Sequence, residues 1–278
     1  MKILNFFKNI KGQDFSMDFQ HILDFKVRKK DSFFRTVFQN ILKCNIINFM
    51  EPIAYFNQIA SKYDPWYSTP IGSYVDAIEK EQVFSLMKGQ KGVILDLGCG
   101  TGNYTLALNR LEIKAIGLDK SMEMLKIAIQ KMSAPFVLGD ASVLPFKNQS
   151  LDSILSITLF EFLTYPEKTL SEIYRVLRPK GEIIVGTMNT FSAWFLFKRL
   201  KSIFKETAYR YARFYTINQL KILFKQAGFT NLTTRGVIYF PAFIPCFLIP
   251  VVKKLDRKWA ASPLRHLAAF VLIRGERP

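Results

Sequence analysis

The run Val93-Ile94-Leu95-Asp96-Leu97-Gly98-Cys99-Gly100-Thr101-Gly102-Asn103 sets an apolar segment, a carboxylate and three alternate glycines in direct succession. Glycine lets the backbone turn tightly and lets a ligand lie against it with no Cβ in the way. A loop built for a pyrophosphate would avoid a carboxylate two residues before its first glycine, because like charges repel. A ligand carrying positive charge reverses that preference. S-adenosylmethionine (SAM), with a sulfonium and an ammonium, is such a ligand. Two rivals stay open on these residues: a simple tight turn, and a dinucleotide site. The dinucleotide fingerprint is G-x-G-x-x-G, whereas the spacing here is G-x-G-x-G with Asn103 three residues after Gly100.

More carboxylates follow at intervals that suit one ligand. Ile113–Asp119 reads as a short strand ending in an acid, and Asp119 lies 21 positions after Gly98. That is near the ~20 expected of an acid that accepts hydrogen bonds from ribose hydroxyls. Phe136–Gly139 is a third strand and runs into Asp140-Ala141, within reach of an adenine amino group. Leu151–Ile157 is a fourth, ending at Thr158-Leu159-Phe160-Glu161. Any one of these acids alone reads as a helix cap or turn residue. Three successive strands ending in Asp at one sheet edge read as a site, since ligands collect at the carboxyl ends of strands in open α/β sheets.

The segments between must carry those strand ends to a common edge. Met122, Leu125, Ala128, Ile129 and Met132 recur at helical spacing behind a capping Ser121. Leu170, Ile173, Val176 and Leu177 mark a helix stopped by Pro179 and Gly181, and Glu182–Gly186 is a fifth strand. Thr216-Ile217-Asn218-Gln219 has the form of a capping box, and Leu220, Leu223, Phe224 and Ala227 supply a buried stripe ahead of Gly228. Thr230–Tyr239 and Ala268–Ile273 supply two last strands. Strands alternating with helices predict an α/β fold with a doubly wound, mostly parallel, seven-stranded Rossmann-like sheet.

The sequence resembles the class I SAM-dependent methyltransferases, in particular the group similar to the ubiquinone/menaquinone-biosynthesis enzymes. The resemblance rests on VILDLGCGTGNYT (93–105), GLDKSMEML (117–125), GDASVLPF (139–146) and YRVLRPKGEIIVG (174–186), with Tyr63-Asp64-Pro65-Trp66-Tyr67 similar to a helical entry segment. It covers roughly residues 51–278 and implies an antiparallel last strand and a helical N-terminal cap. It also implies SAM as cofactor, with no metal. Gly98, Gly100 and Gly102 would admit the methionine part, and Asp96 would favour its positive groups. Asp119 would hold the ribose, and Asp140 with Ala141 the adenine. Leu159, Phe160 or Glu161 would line the wall near the methyl, and Tyr63 would close over the cofactor. Cys99 and Lys120 share those two loops and complete the set, Cys99 as a small packed residue. Glu161 is the best-placed candidate base, with a helix-start acid as its alternative. His266, Tyr211 and Tyr215 read better as surface or packing residues.

Composition bounds the rest. The chain has 278 residues, about half of them apolar, three Cys without a pairing pattern and two His, which excludes a disulfide scaffold and argues against a structural zinc. A reduced, cytoplasmic setting is expected. The net charge of +17 is uneven: residues 1–50 hold nine Lys/Arg against four Asp, residues 51–187 fourteen against fifteen acids, and residues 188–278 sixteen against three. Together with the resemblance, which implies a helical cap (51–90), a SAM-binding half (91–187) and an acceptor or lid half (188–278), this makes the SAM-binding half near-neutral and the acceptor or lid half cationic. Phe191–Lys205 mixes aromatics with Lys and Arg, and Val237–Val252 is apolar but interrupted by Pro241, Pro245 and Pro250. Three readings stay open for these segments: a lid over the acceptor, a lid that also touches an anionic membrane surface, and nucleic-acid binding. No appended RNA-binding module or Asn-Pro-Pro-Tyr-type motif supports the last. No transmembrane segment is expected. Residues 1–50, basic and Phe-rich, lack the core and cleavage site of a signal peptide. They read as an amphipathic anchor or as an extension upstream of a start at Met50. The expected activity is methyl transfer to a small, lipophilic acceptor such as a quinone precursor, phenol or lipid-like molecule. The alternatives are an RNA methyltransferase and a non-catalytic SAM-binding accessory protein. Oligomeric state is not legible.

Overall fold

Two faces of one sheet account for the alternation of buried residues. In the computed structural model, which describes residues 52–87, 92–192, 194, 207–240 and 244–278, the strand leading into the glycine loop is β1 (Ile94–Leu97). Leu95 and Leu97 point into one hydrophobic cluster, and Ile94 into a second on the opposite face. Strands β2 (Ala115–Asp119) and β3 (Phe136–Leu138) extend the sheet on one side of β1, and β4 (Leu151–Ile157) and β5 (Leu177–Met188) on the other, all parallel. The last strands are β6 (Thr230–Val237) and β7 (Phe270–Glu276). β7 inserts between β5 and β6 and runs antiparallel to both, giving the order β3-β2-β1-β4-β5-β7-β6. The seven-stranded sheet with an antiparallel last strand is thus as expected.

The first cluster is covered by α5 (Pro166–Val176) and α6 (Ile217–Gln226), through Leu170, Ile173 and Val176 and through Ile217, Leu220 and Phe224. The second is covered by α2 (Pro70–Leu86), α3 (Asn103–Arg110) and α7 (Ile249–Trp259), through Ile78, Val83, Leu108 and Val252 among others. Helices on both faces are what a parallel sheet requires, because its strands are apolar on both sides. The cap consists of α1 (Pro52–Tyr63), a 3₁₀ turn over Asp64–Ser68 and α2. Residues 1–50 and 195–206, on which a basic extension and an amphipathic segment were expected, lie outside the described residues.

Three expectations shift in detail. The helix before β3, α4 (Met122–Lys131), is capped by Ser121 as expected, but its buried stripe is Met124, Leu125 and Ala128, while Met122 and Ile129 are exposed. A helix on a sheet edge buries a narrow stripe, so apolar residues beside it remain in water. β5 begins at Leu177, ahead of Pro179 and Gly181, and the turn is made within the strand by Lys180 at φ 65°. Pro250 lies in the first turn of α7, where its missing N–H costs nothing. The Pro-interrupted apolar run is therefore in part the start of a helix.

Candidate functional site

The glycine loop turns at the carboxyl end of β1. Gly98, Gly100 and Gly102 adopt φ of 75°, 54° and 77°, the left-handed region that side chains avoid. Gly98 is also sterically confined, since a Cβ there would meet Leu159 at 2.9 Å. Gly100 differs: a Cβ on it would meet nothing within 4 Å, because it faces an open cavity of about 280 Å³. A side chain at Gly100 would enter the space a ligand needs. Gly102 is the N-cap of α3 and packs on Met132 and Ala128.

The strand ends converge on this cavity. Asp119 lines it from the end of β2, and its carboxylate accepts hydrogen bonds from the Gly100 N–H (2.8 Å) and the Ser121 N–H (2.7 Å). Burial raises the Asp119 pKa, and the backbone donors only partly offset this. Lys120, Asp140, Ala141 and Ser142 form the neighbouring wall. Partial burial would raise Asp140, but the Ser142 N–H at 2.8 Å and the Lys120 ammonium at 3.2 Å outweigh it and hold the carboxyl below its usual range. Thr158 and Leu159 contribute from the end of β4, and Pro52, Ile53, Phe56 and Tyr63 from the cap. Burial pushes the Tyr63 hydroxyl up to about 12, with Tyr67 and Thr158 as hydrogen-bond neighbours.

Five predicted residues are not at the cavity surface. Asp96 is buried behind the loop, on the opposite sheet face from Leu95, and accepts a 2.6 Å hydrogen bond from Thr105 of α3. Burial raises its pKa to about 6. Cys99 is packed, as expected, and burial raises its thiol pKa. Gly102 is turned toward α4. Phe160 corrects the expected wall: it is fully buried in the first cluster, and Phe162 and Leu163 line the cavity instead. The cause is the 3₁₀ turn over Phe160–Phe162, which rotates successive side chains by about 120°. Glu161 in the same turn is 2 % exposed, accepts a 2.7 Å hydrogen bond from Thr187 on β5, and is raised by burial to about 7. Tyr215 is buried against Phe160, and His266 sits in the turn before β7, away from the cavity lining.

The sequence reading missed the residues that fasten the cap to the loop. Asp64 accepts a 2.7 Å hydrogen bond from Thr101 and a 3.3 Å one from Asn103, and forms an ion pair with Lys131. Lys131 also donates to the Thr101 carbonyl (2.9 Å) and to Asn103 (3.0 Å). A second clasp joins Ser121 to Asn57 of α1 at 2.6 Å. The signal available was the Tyr63-Asp64 pair in the entry segment, but its partners lie 37 to 67 positions away.

Known proteins resemble this chain in sequence and fold. Residues 95–185 match the methyltransferase domain family. An uncharacterized protein of Methanocaldococcus jannaschii is 31% identical over 204 residues, covering 66% of this chain and 77% of that protein. The demethylmenaquinone methyltransferase of Lactiplantibacillus plantarum is 35% identical over 173 residues, covering 50% of this chain and 70% of the enzyme. The structure of a SAM-dependent methyltransferase of Thermotoga maritima, described as a possible histamine N-methyltransferase, superimposes with a TM-score of 0.64 at 26% identity, over 82% of this chain and all of the other. The matched segment holds the glycine loop and the strand-end acids Asp96, Asp119 and Asp140, and the chain belongs to the class I SAM-dependent methyltransferases, with SAM as its cofactor.

Proposed function

We propose that this methyltransferase acts on a small, lipophilic acceptor, and that Gly98, Gly100, Asp119, Lys120, Asp140 and Ala141 hold the cofactor. The observation that carries the acceptor reading is the composition of the cavity wall. Pro52, Ile53, Phe56, Leu159, Phe162 and Leu163 give its lining a large apolar share alongside the strand-end acids. A planar apolar acceptor would bury its surface there, with about 25 cal/mol per Å² of apolar area favouring association. The +13 charge of residues 188–278 favours work against a surface of negative charge.

When bound, SAM supplies an electrophilic methyl group. The work of the chain is to bind, align and exclude water. Asp119, already oriented by the Gly100 and Ser121 N–H groups, would accept from ribose hydroxyls without reorganising. Asp140 would accept from the adenine amino group. Asp96, one layer behind, fixes α3 through Thr105 and adds negative potential beneath the loop. Tyr63 and the clasped cap would keep water from the transfer path, where alignment itself supplies much of the rate. Glu161 holds a proton near neutral pH close to this path but does not line it, so an acceptor already nucleophilic suits the site.

The test is a panel of quinone precursors, phenols and primary amines, scored by release of S-adenosylhomocysteine. Turnover confined to the apolar phenolic or quinol acceptors is the expected result. Turnover on hydrophilic amines alone would overturn the acceptor reading and leave the cofactor site intact.

A further inference from the structure

α7 has two unlike faces. One is fastened inward: Val252 is buried in the second cluster, and Asp256 is buried with the Tyr74 hydroxyl and the Tyr239 N–H as donors to its carboxylate. Arg257 adds a bidentate ion pair to Glu81 of α2, at 2.5 and 2.6 Å. The other face carries Val251 and Leu255, continued by Phe247 and Leu248 in the 3₁₀ turn (Cys246–Leu248) before it and by Ile244 ahead of that turn. Ile244, Leu248, Val251 and Leu255 line an open groove of about 290 Å³, which is shared with the buried Val252 and whose walls are apolar side chains throughout. Phe247 is 78 % exposed and Val251 54 %. Lys254 and Lys258 stand beside Val251 and Leu255 on the same turns, both exposed. Leu264 and Leu267, also exposed, lie in the Pro263–Leu267 turn that contacts α7.

We propose that this face of α7 and the turn before it is a docking surface for an anionic lipid bilayer. The argument is charge complementarity joined to shape. Exposed large apolar side chains on one helix sector, flanked by lysines and locked to the domain by the opposite sector, suit a helix lying in the headgroup plane. The apolar residues would enter the acyl boundary while Lys254 and Lys258 meet lipid phosphates, each contributing through the negative surface potential. No helix among the described residues is long and apolar enough to cross a membrane, so the contact is peripheral. A protein partner would favour a groove with polar groups to fix register, and this one has none along its walls. The proposal rests on the acceptor reading for its purpose: an enzyme docked in this way draws a lipophilic acceptor from the membrane.

The experiment is co-sedimentation of the full chain with vesicles of phosphatidylcholine alone and of phosphatidylcholine with phosphatidylglycerol, with SAM calorimetry on the same preparations. The expected result is partition to the anionic vesicles only, weakened by salt. Lys254→Ala with Lys258→Ala should reduce that partition about thirtyfold, at about tenfold per 1.4 kcal/mol. Phe247→Ser with Val251→Ser should abolish it, with SAM affinity unchanged. Absence of binding, equal binding to neutral vesicles, or indifference to both double variants would overturn the proposal. So would a concentration-dependent dimer that Val251→Ser dissociates, since a second copy would then cover the face. Vesicle binding without turnover of any lipophilic acceptor would overturn the acceptor reading and leave the docking surface standing.

Discussion

The loop edge of the sheet and the outer face of α7 treat their polar and apolar groups in opposite ways. At the loop edge the charges are arranged around one another: Asp119 takes two backbone donors, Asp140 takes Ser142 and Lys120, and Asp64 ties the cap to Thr101, Asn103 and Lys131. On the outer face of α7, Val251, Lys254 and Lys258 face outward, with Phe247 in the turn before it. The difference teaches what each region is prepared for. A small ligand needs groups fixed before it arrives, because ordering them afterwards would cost affinity. A bilayer is fluid and adapts, so a surface that meets one needs only the right sector of apolar and positive side chains.

The contrast can be broken most forcefully at Asp119. Asp119→Ala removes the acceptor of two backbone N–H groups as well as the ribose partner. SAM affinity in calorimetry should fall about a hundredfold or more, on the order of 3 kcal/mol. A fall below tenfold would show that the loop holds its shape without the carboxylate.

Glu161 offers the next largest effect, and its sign depends on pH. Its folded pKa of about 7 lies above its ordinary value of 4.5, so the folded state binds more protons in that interval. The stability this confers is full below about pH 4.5 and is lost as pH rises through 7. Asp96 and Asp256, both raised to about 6 by burial, act in the same direction. Glu161→Gln should therefore match or trail the parent at pH 4.5 and exceed it by up to about 3 kcal/mol above pH 8, as read in urea denaturation. An advantage independent of pH would refute the assignment of burial as the cause.

Asp64→Ala should have a smaller effect, costing about 1–2 kcal/mol of stability and a severalfold loss of SAM affinity, because it frees the cap without touching the loop's own hydrogen bonds. Lys131→Met should reproduce most of that loss if the clasp works as a unit. At the other end of the scale, Val251→Ser should change thermal stability by less than about 0.5 kcal/mol, as for exposed positions generally. A larger loss would mean that the outer face of α7 is covered in the folded protein, and would remove the contrast between the regions.

Much of the loop edge was legible because the signals were local. The strands β1 to β4 and their terminal acids fall within a few residues of their expected places, and Ser121 and Thr216 cap the helices predicted from them. Phe160 was misread because periodicity says nothing about the phase of a three-residue 3₁₀ turn, and it is the turn that sends Phe160 inward and Phe162 to the cavity. The clasp of Asp64 and Asn57 was not legible, since nothing in an entry helix tells which distant loop it will meet. Neither was the division of α7 into two faces, because its apolar residues lie on both sides and only Tyr74, Tyr239 and Glu81 decide which side is covered.

The sequence by itself determined the alternation of strand and helix, the glycine loop and the acids that end β1, β2 and β3, because each is set by residue type and short-range spacing. The tertiary structure decided which of those acids meets the cavity. Asp96 and Asp119 both stand at strand ends, yet one is buried against Thr105 of α3 and the other lines the ligand space, held there by the Gly100 and Ser121 N–H groups. It also decided that the cap closes on the loop and that α7 keeps an apolar face outward. Contacts between residues far apart in the chain select one packing among several that the local pattern permits.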